Sequence, residues 1–288
     1  MRIAIRLVIA AVVSATLLVG AAGEWLSRPA ARAVGEPPAD LAARSVRVPV
    51  ADSGHLAGWF VRGHGRGAVL LLHGLRSDRR QMLGRARFLR DAGYAVLLVD
   101  LPAHGESSGE RIGFGLQEAA AVSAAIAYLR AQLPGQPVGA IGVSLGAAAL
   151  VLSRPSPSPP LDAVILESLY PTIAEAVSNR LDQRLGPYGR VLAPLLLWQL
   201  PLRLGVSAGD LRPVAAMPAL SAPVLVAAGT QDRHTTWSET ERLFAAARAP
   251  KALWAVQGAP HVDLHAFGPD AYRALVLAFL SHHLRPAD

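Results

Sequence analysis

Val138-Gly139-Ala140-Ile141-Gly142-Val143-Ser144-Leu145-Gly146-Ala147-Ala148-Ala149-Leu150-Val151-Leu152 decides how this chain folds. Residues 138–143 are an apolar run of strand length, and residues 145–152 suit a helix. An apolar run with no polar face belongs to a strand buried on both sides. Between the two lies Gly142-x-Ser144-x-Gly146. A chain that passes from strand to helix within one residue bends sharply, and glycines leave room where side chains would strike the neighbouring strand or helix. The first turn of such a helix aims its free N–H groups at its own start, at Ser144.

The same alternation runs outward in both directions. Ser45 to Val50 and Leu56 to Val61 read as two strands joined around Asp52-Ser53-Gly54, a hairpin signal. Ala68 to Leu72 and Ala95 to Val99 are buried strands, with a helical stretch from about Arg79 to Asp91 between them. Leu116 to Gln132 is a helix stopped by Pro134 and Gly135. Ala163 to Leu166, Val224 to Ala227 and Ala252 to Val256 predict further strands, and Trp237 to Ala247 and Pro269 to Leu284 predict the helices after the last two. This rhythm implies an α/β fold: a mostly parallel central sheet, helices on both faces, and an antiparallel hairpin at one edge. Ligands on such sheets bind beyond the carboxyl ends of the strands, so chemistry is expected just after those ends.

Two further motifs stand at such ends. Leu71-Leu72-His73-Gly74-Leu75 follows one buried strand, and Asp100-Leu101-Pro102-Ala103-His104-Gly105-Glu106-Ser107 follows the next. Together with Gly142-x-Ser144-x-Gly146, in this order, they resemble the α/β-hydrolase family, and within it the bacterial serine-aminopeptidase-like and acylesterase-like hydrolases. The resemblance spans roughly Ser45 to Leu284. It implies the α/β-hydrolase fold with Ser144 as a nucleophile. It implies an oxyanion hole from the backbone N–H groups of Leu145 and Leu75, with His73 ordering the loop. It also implies an architectural role for the Asp100 to Ser107 turn.

A serine hydroxyl is a poor nucleophile at neutral pH and needs a base, which needs an acid to hold its tautomer. In the family these follow in the order Ser, Asp or Glu, His. Five of the nine histidines follow Ser144. His282 and His283 end the last helix, and His234 falls just after the candidate acid. His261, in Gly258-Ala259-Pro260-His261, matches the family's histidine position, with His265 the alternative. Asp232, in Gly229-Thr230-Gln231-Asp232, matches the acid position, with Asp263 the rival. His261-Val262-Asp263-Leu264-His265 alternates polar groups as a zinc loop does, but the chemistry needs no metal, and no metal or cofactor is expected. The function implied is a serine hydrolase, carboxylesterase-like, acting on esters, thioesters or amides through an acyl-enzyme. A peptidase or acyltransferase with the same triad, or a non-catalytic binding protein of the same fold, are the alternatives.

Composition excludes other classes. The net charge of +7 comes from scattered arginines, with Lys251 the only lysine, not from a basic stripe with aromatic platforms, so nucleic acid is not an expected partner. There is no cysteine, hence no disulfide, thiolate metal site or cysteine nucleophile.

Arg2 and Arg6 precede an uncharged apolar run from Leu7 to Gly23. As a helix, about 17 residues span roughly 25 Å, near the short limit for a bilayer. The sequence therefore predicts a signal anchor over 1–23, a Pro-rich linker over 24–41 and the hydrolase domain over 42–288. The positive N-terminal flank predicts an extracytoplasmic catalytic domain, with secretion after cleavage near Ala31-Arg32-Ala33 as the alternative. The rhythm breaks over about 168–218, which predicts a short helical lid. Its apolar Leu192 to Leu204 suits a small-molecule or lipid-like acyl substrate, and Glu167 is expected either to touch that substrate or to brace the lid.

Overall fold

The computed structural model describes residues 1–51, 54–153, 161–186 and 188–284, apart from the side chains of residues 8, 11, 12 and 15. Asp52 and Ser53 of the expected hairpin turn lie outside the described residues. The strands are β1 (Ala30–Ala31), β2 (Arg44–Val50), β3 (Gly54–Val61), β4 (Ala68–Leu72), β5 (Ala95–Val99), β6 (His104–Gly105), β7 (Val138–Val143), β8 (Ala163–Glu167), β9 (Val224–Gly229) and β10 (Lys251–Val256). The helices are α1 (Arg2–Ser27), α2 (Leu83–Asp91), α3 (Leu116–Gln132), α4 (Leu145–Leu152), α5 (Ile173–Leu185), α6 (Tyr188–Leu197), α7 (Leu200–Leu204), α8 (Pro213–Ala216), α9 (Trp237–Ala246), α10 (Leu264–Phe267) and α11 (Pro269–His283).

Eight strands form one sheet in the order β10-β9-β8-β7-β4-β5-β3-β2. β3 runs antiparallel to both β2 and β5, and the remaining pairs are parallel. The apolar runs explain the two-sided burial. Successive strand residues face opposite sides, so Leu70, Leu72 and Leu97 pack with Val122 and Ile126 of α3. Val69, Leu71 and Leu98 pack on the other face with Leu89 of α2 and Val276 and Leu280 of α11. Each leucine so buried stabilises the fold by roughly 1.5–3 kcal/mol before chain entropy is counted.

β4 has β5 on one side and β7 on the other. The connections leaving β4 and β7 therefore part at their carboxyl ends and open a crevice there. The helical stretch expected from Arg79 begins as a 3-10 turn, because the Asp78 side chain accepts from the Arg80 N–H and caps it; α2 proper starts at Leu83. Over the crevice lie α5 to α7, within the interval expected for a lid. Pro194 sits inside α6 and Pro201 near the start of α7, which breaks the segment into short pieces. Ile173, Leu200, Leu204 and Leu211 give these helices a small core of their own.

The expected signal anchor over 1–23 falls within α1. Among the described residues, no helix is long and apolar enough to cross a membrane. The expected linker also begins inside α1, which continues to Ser27. The C-terminal turns of α1 are bound to the body: Gln199 donates to Val19 O, Arg203 donates to Gly20 O at 2.6 Å, and Glu24 pairs with Arg111 and Arg203. Past Pro29 the chain is pinned again, where β1 pairs with β6.

Candidate active site

Ser144 occupies the joint between β7 and α4 with φ 48° and ψ −102°, a left-handed backbone that a serine adopts only when its surroundings impose it. Two bonds impose it here: the Ser144 N–H donates to Glu167 O at 2.8 Å, and Ser144 O accepts from the Ala148 N–H at 2.9 Å. The flanking glycines are required by contact. A Cβ on Gly142 would lie 2.6 Å from Ala147 N, and one on Gly146 would lie 2.6 Å from Leu72 O.

The loop after β4 is ordered by His73, which is fully buried. Its Nδ1 donates to Gly74 O at 2.7 Å and its Nε2 accepts from the Leu101 N–H at 2.9 Å. That assignment is the neutral tautomer, and burial, aided by the nearby His104, lowers the pKa of His73 to about 3. His104 likewise accepts from the Arg76 N–H at 3.0 Å, and burial lowers its pKa to about 4. Asp100 accepts from the N–H groups of Arg79 and Glu106 and pairs with the Arg79 guanidinium. These three side chains thus hold the turns beside the elbow.

On the other side of β7, Asp232 follows β9 and His261 follows β10. His261 Nδ1 donates to Asp232 Oδ2 at 2.7 Å. The other carboxylate oxygen, Oδ1, accepts from the N–H groups of His234 and Thr235 at 2.8 and 2.9 Å. Burial works against the charge of Asp232, but His261 and the two N–H groups outweigh it and hold the carboxyl below its ordinary range. The two loops are also stitched together. Thr230 N–H donates to Val256 O, Gln231 N–H to Ala259 O, and Gly258 N–H to Thr230 Oγ1.

Ser144, Leu145 and Leu75 line one cavity of about 350 Å³, walled mostly by the apolar residues of α5, α6 and α7. Trp25 and Leu26 of α1 complete the wall. Sequence reasoning missed this, although Pro29 is the first proline after the apolar run and nothing earlier stops a helix.

The remaining candidates go elsewhere. Glu167 does not face the cavity: it is fully buried, pairs with Arg85 at 2.6 Å and accepts from the Tyr272 hydroxyl. Asp263 also pairs with Arg85, at 2.9 Å, and caps α10 by accepting from the N–H groups of His265 and Ala266. His265 stacks on Phe88 with ring centroids 5.5 Å apart. Among the described residues no group of three or more His, Cys, Asp or Glu side chains is placed to hold a metal. Sequence reasoning also missed Arg85 itself, a charged residue inside a helix with nothing local to mark it. His234 was passed over too; its ring lies 4.6 Å from that of His261.

Comparison with known proteins agrees with this architecture. The model of the alpha/beta hydrolase family matches residues 69–275. The chain is 26% identical to the uncharacterized protein YqkD of Bacillus subtilis over 238 residues, 82% of this chain and 78% of that one. It is 33% identical to an uncharacterized protein of Mycobacterium tuberculosis over 230 residues, 77% of this chain and 73% of that one. Among solved structures, an esterase of Pyrococcus furiosus superposes with a TM-score of 0.74 at 21% identity, covering 90% of this chain and 99% of that one. A thermophilic esterase from Thermogutta terrifontis does so with a TM-score of 0.62 at 19% identity, covering 84% and 100%. The chain belongs to the alpha/beta hydrolase family.

Proposed function

We propose that this member of the family is a serine-dependent acyl hydrolase, carboxylesterase-like, with Ser144 as nucleophile, His261 as base and Asp232 as orienting acid. The observation that carries the reading is the 2.7 Å bond from His261 Nδ1 to Asp232 Oδ2, made at the same edge of the sheet as the Ser144 elbow. With its proton on Nδ1, the imidazole presents Nε2 as an acceptor for a hydroxyl proton.

Ser144 Oγ attacks the carbonyl carbon while His261 takes its proton. The charge that develops on the carbonyl oxygen rests on the N–H groups of Leu145 and Leu75, aided by the start of α4. Collapse expels the alcohol, which takes the proton from His261, and leaves the acyl group on Ser144. Water, deprotonated by His261, then releases the acid. The apolar walls of the cavity suit an acyl chain and keep water from the developing charges.

The test is a fluorophosphonate probe with a panel of p-nitrophenyl esters, thioesters and aminoacyl amides. The wild-type protein labels and cleaves the esters; Ser144→Ala does neither. A folded wild-type protein that neither labels nor cleaves any of the panel refutes the reading.

A further inference from the structure

The cavity beside Ser144 is one-sided in charge. Among the described residues four arginines line it, Arg76, Arg180, Arg184 and Arg203, and no carboxylate does. Two of the four are engaged. Arg203 pairs with Glu24 and donates to Gly20 O and Gln199 Oε1. Arg76 donates to Trp25 O at 3.0 Å and lies over the Trp25 ring at 4.8 Å. Arg180 is different. Its one described hydrogen bond runs from Nη1 to Ala176 O at 2.9 Å, one turn back on its own helix. Among the described residues, no carboxylate lies within ion-pair distance of Arg180 or of Arg184, which follows one turn later on α5.

A guanidinium drawn into an apolar cavity without an anionic partner is costly, and its planar fork is shaped to receive a carboxylate or phosphate. Burial indeed lowers the pKa of Arg180. The nearby carboxylates are committed: Asp232 to His261 and two N–H groups, and Glu239 to the Asn179 amide and the Thr236 N–H. The fitting occupant is anionic at one point and apolar elsewhere. We propose that the cavity takes an ester with an apolar chain and a single anionic group, whose charge is received by Arg180, with Arg184 drawing it in at the rim. The inference rests on the hydrolase reading above and names its substrate class.

The test compares matched pairs of esters. Mono-p-nitrophenyl adipate is set against p-nitrophenyl hexanoate, which places a carboxylate on the acyl side. Hexanoyl glycerol phosphate is set against monohexanoyl glycerol, which places a phosphate on the alcohol side. The anionic member of at least one pair is expected to exceed its neutral partner by about tenfold or more in kcat/KM, with the preference shrinking as salt rises. Whichever pair shows it identifies the source of the anion. Arg180→Gln abolishes the preference and Arg180→Lys restores part of it. If Arg180→Gln does not fold, the exposed Arg184→Gln reads the same preference as a partial loss. A role confined to bracing the lid or tuning Asp232 lowers both members of a pair by the same factor, and that result overturns the proposal. So does equal cleavage of both members of both pairs by a protein that the fluorophosphonate labels. If no ester is cleaved and no label is taken up, the hydrolase reading has failed and calorimetric titration decides: tighter binding of octylphosphonate than octanol supports the anion site, and equal binding removes it.

Discussion

His261 donates to Asp232 across 2.7 Å although 29 residues separate the two in the chain. The bond exists because β9 and β10 are adjacent and parallel, so their carboxyl ends release both residues at one place. Asp232→Asn keeps the size of the side chain and presents an amide instead of a carboxylate to Nδ1. Turnover of a p-nitrophenyl ester should fall by about 10³–10⁴, mostly in kcat. A variant within tenfold of wild type would show that this carboxylate does not orient the base.

Gly146→Ala should damage the fold as well as the site. The added methyl meets Leu72 O at 2.6 Å, and a carbonyl inside the sheet cannot swing away as a flexible side chain would. A loss of about 1–3 kcal/mol in urea denaturation is expected. A variant within about 0.5 kcal/mol of wild type would mean that α4 moves off β4 without cost.

Arg85 joins four elements. It pairs with Glu167 at the end of β8 and with Asp263 beside His261, and it donates to the Tyr272 hydroxyl of α11 at 2.8 Å. Removing it leaves Glu167 charged and buried. Arg85→Ala should cost about 3–5 kcal/mol, and should lower kcat more than it raises KM because the loop carrying His261 loses its anchor. The double variant Arg85→Met, Glu167→Gln should recover part of the stability but not the turnover. Full recovery of both would show that the network merely fills space.

Acid should unfold the protein earlier than carboxylates alone require. His73, His104 and His234 have pKa values lowered to about 3, 4 and 4, chiefly by burial. In the unfolded chain each titrates near its ordinary value of about 6.5. Between those limits the unfolded state holds more protons, so stability is full above about pH 7 and declines as pH falls toward 4. Below that, Asp232 and Asp263, both held under their ordinary range, add to the loss. Urea midpoints measured from pH 7.5 to 4.5 should fall steadily, and less steeply in His104→Gln. A flat profile over that interval contradicts the burial of these rings in their neutral form.

The parts of this fold that could be read from sequence are those whose cause is local. The short apolar runs of β4, β5 and β7, bounded by turn residues, read as interior strands. The glycines around Ser144 report a crowded turn directly. The pairing of Asp232 with His261 could be anticipated from the family resemblance, which places an acid and a histidine after successive strands. What was not legible depends on distant partners. The prolines of α6 and α7 blur where the helices of the expected lid begin and end, and those helices share a core of Ile173, Leu200 and Leu211 contributed from separate parts of the segment. Arg85 and Glu167 lie 82 residues apart, and neither neighbourhood announces the other. For α1 the sequence shows hydrophobicity but not that Gln199 and Arg203 bind its far end.

That far end makes the N-terminal helix a part of the chamber. Trp25 and Leu26 wall the same chamber that Ser144 opens into, while Ile3, Leu7, Leu17 and Leu18 on the same rod face outward. A cut near residue 39 takes Trp25 and Leu26 out of that wall, so a chain shortened there encloses a different chamber beside Ser144.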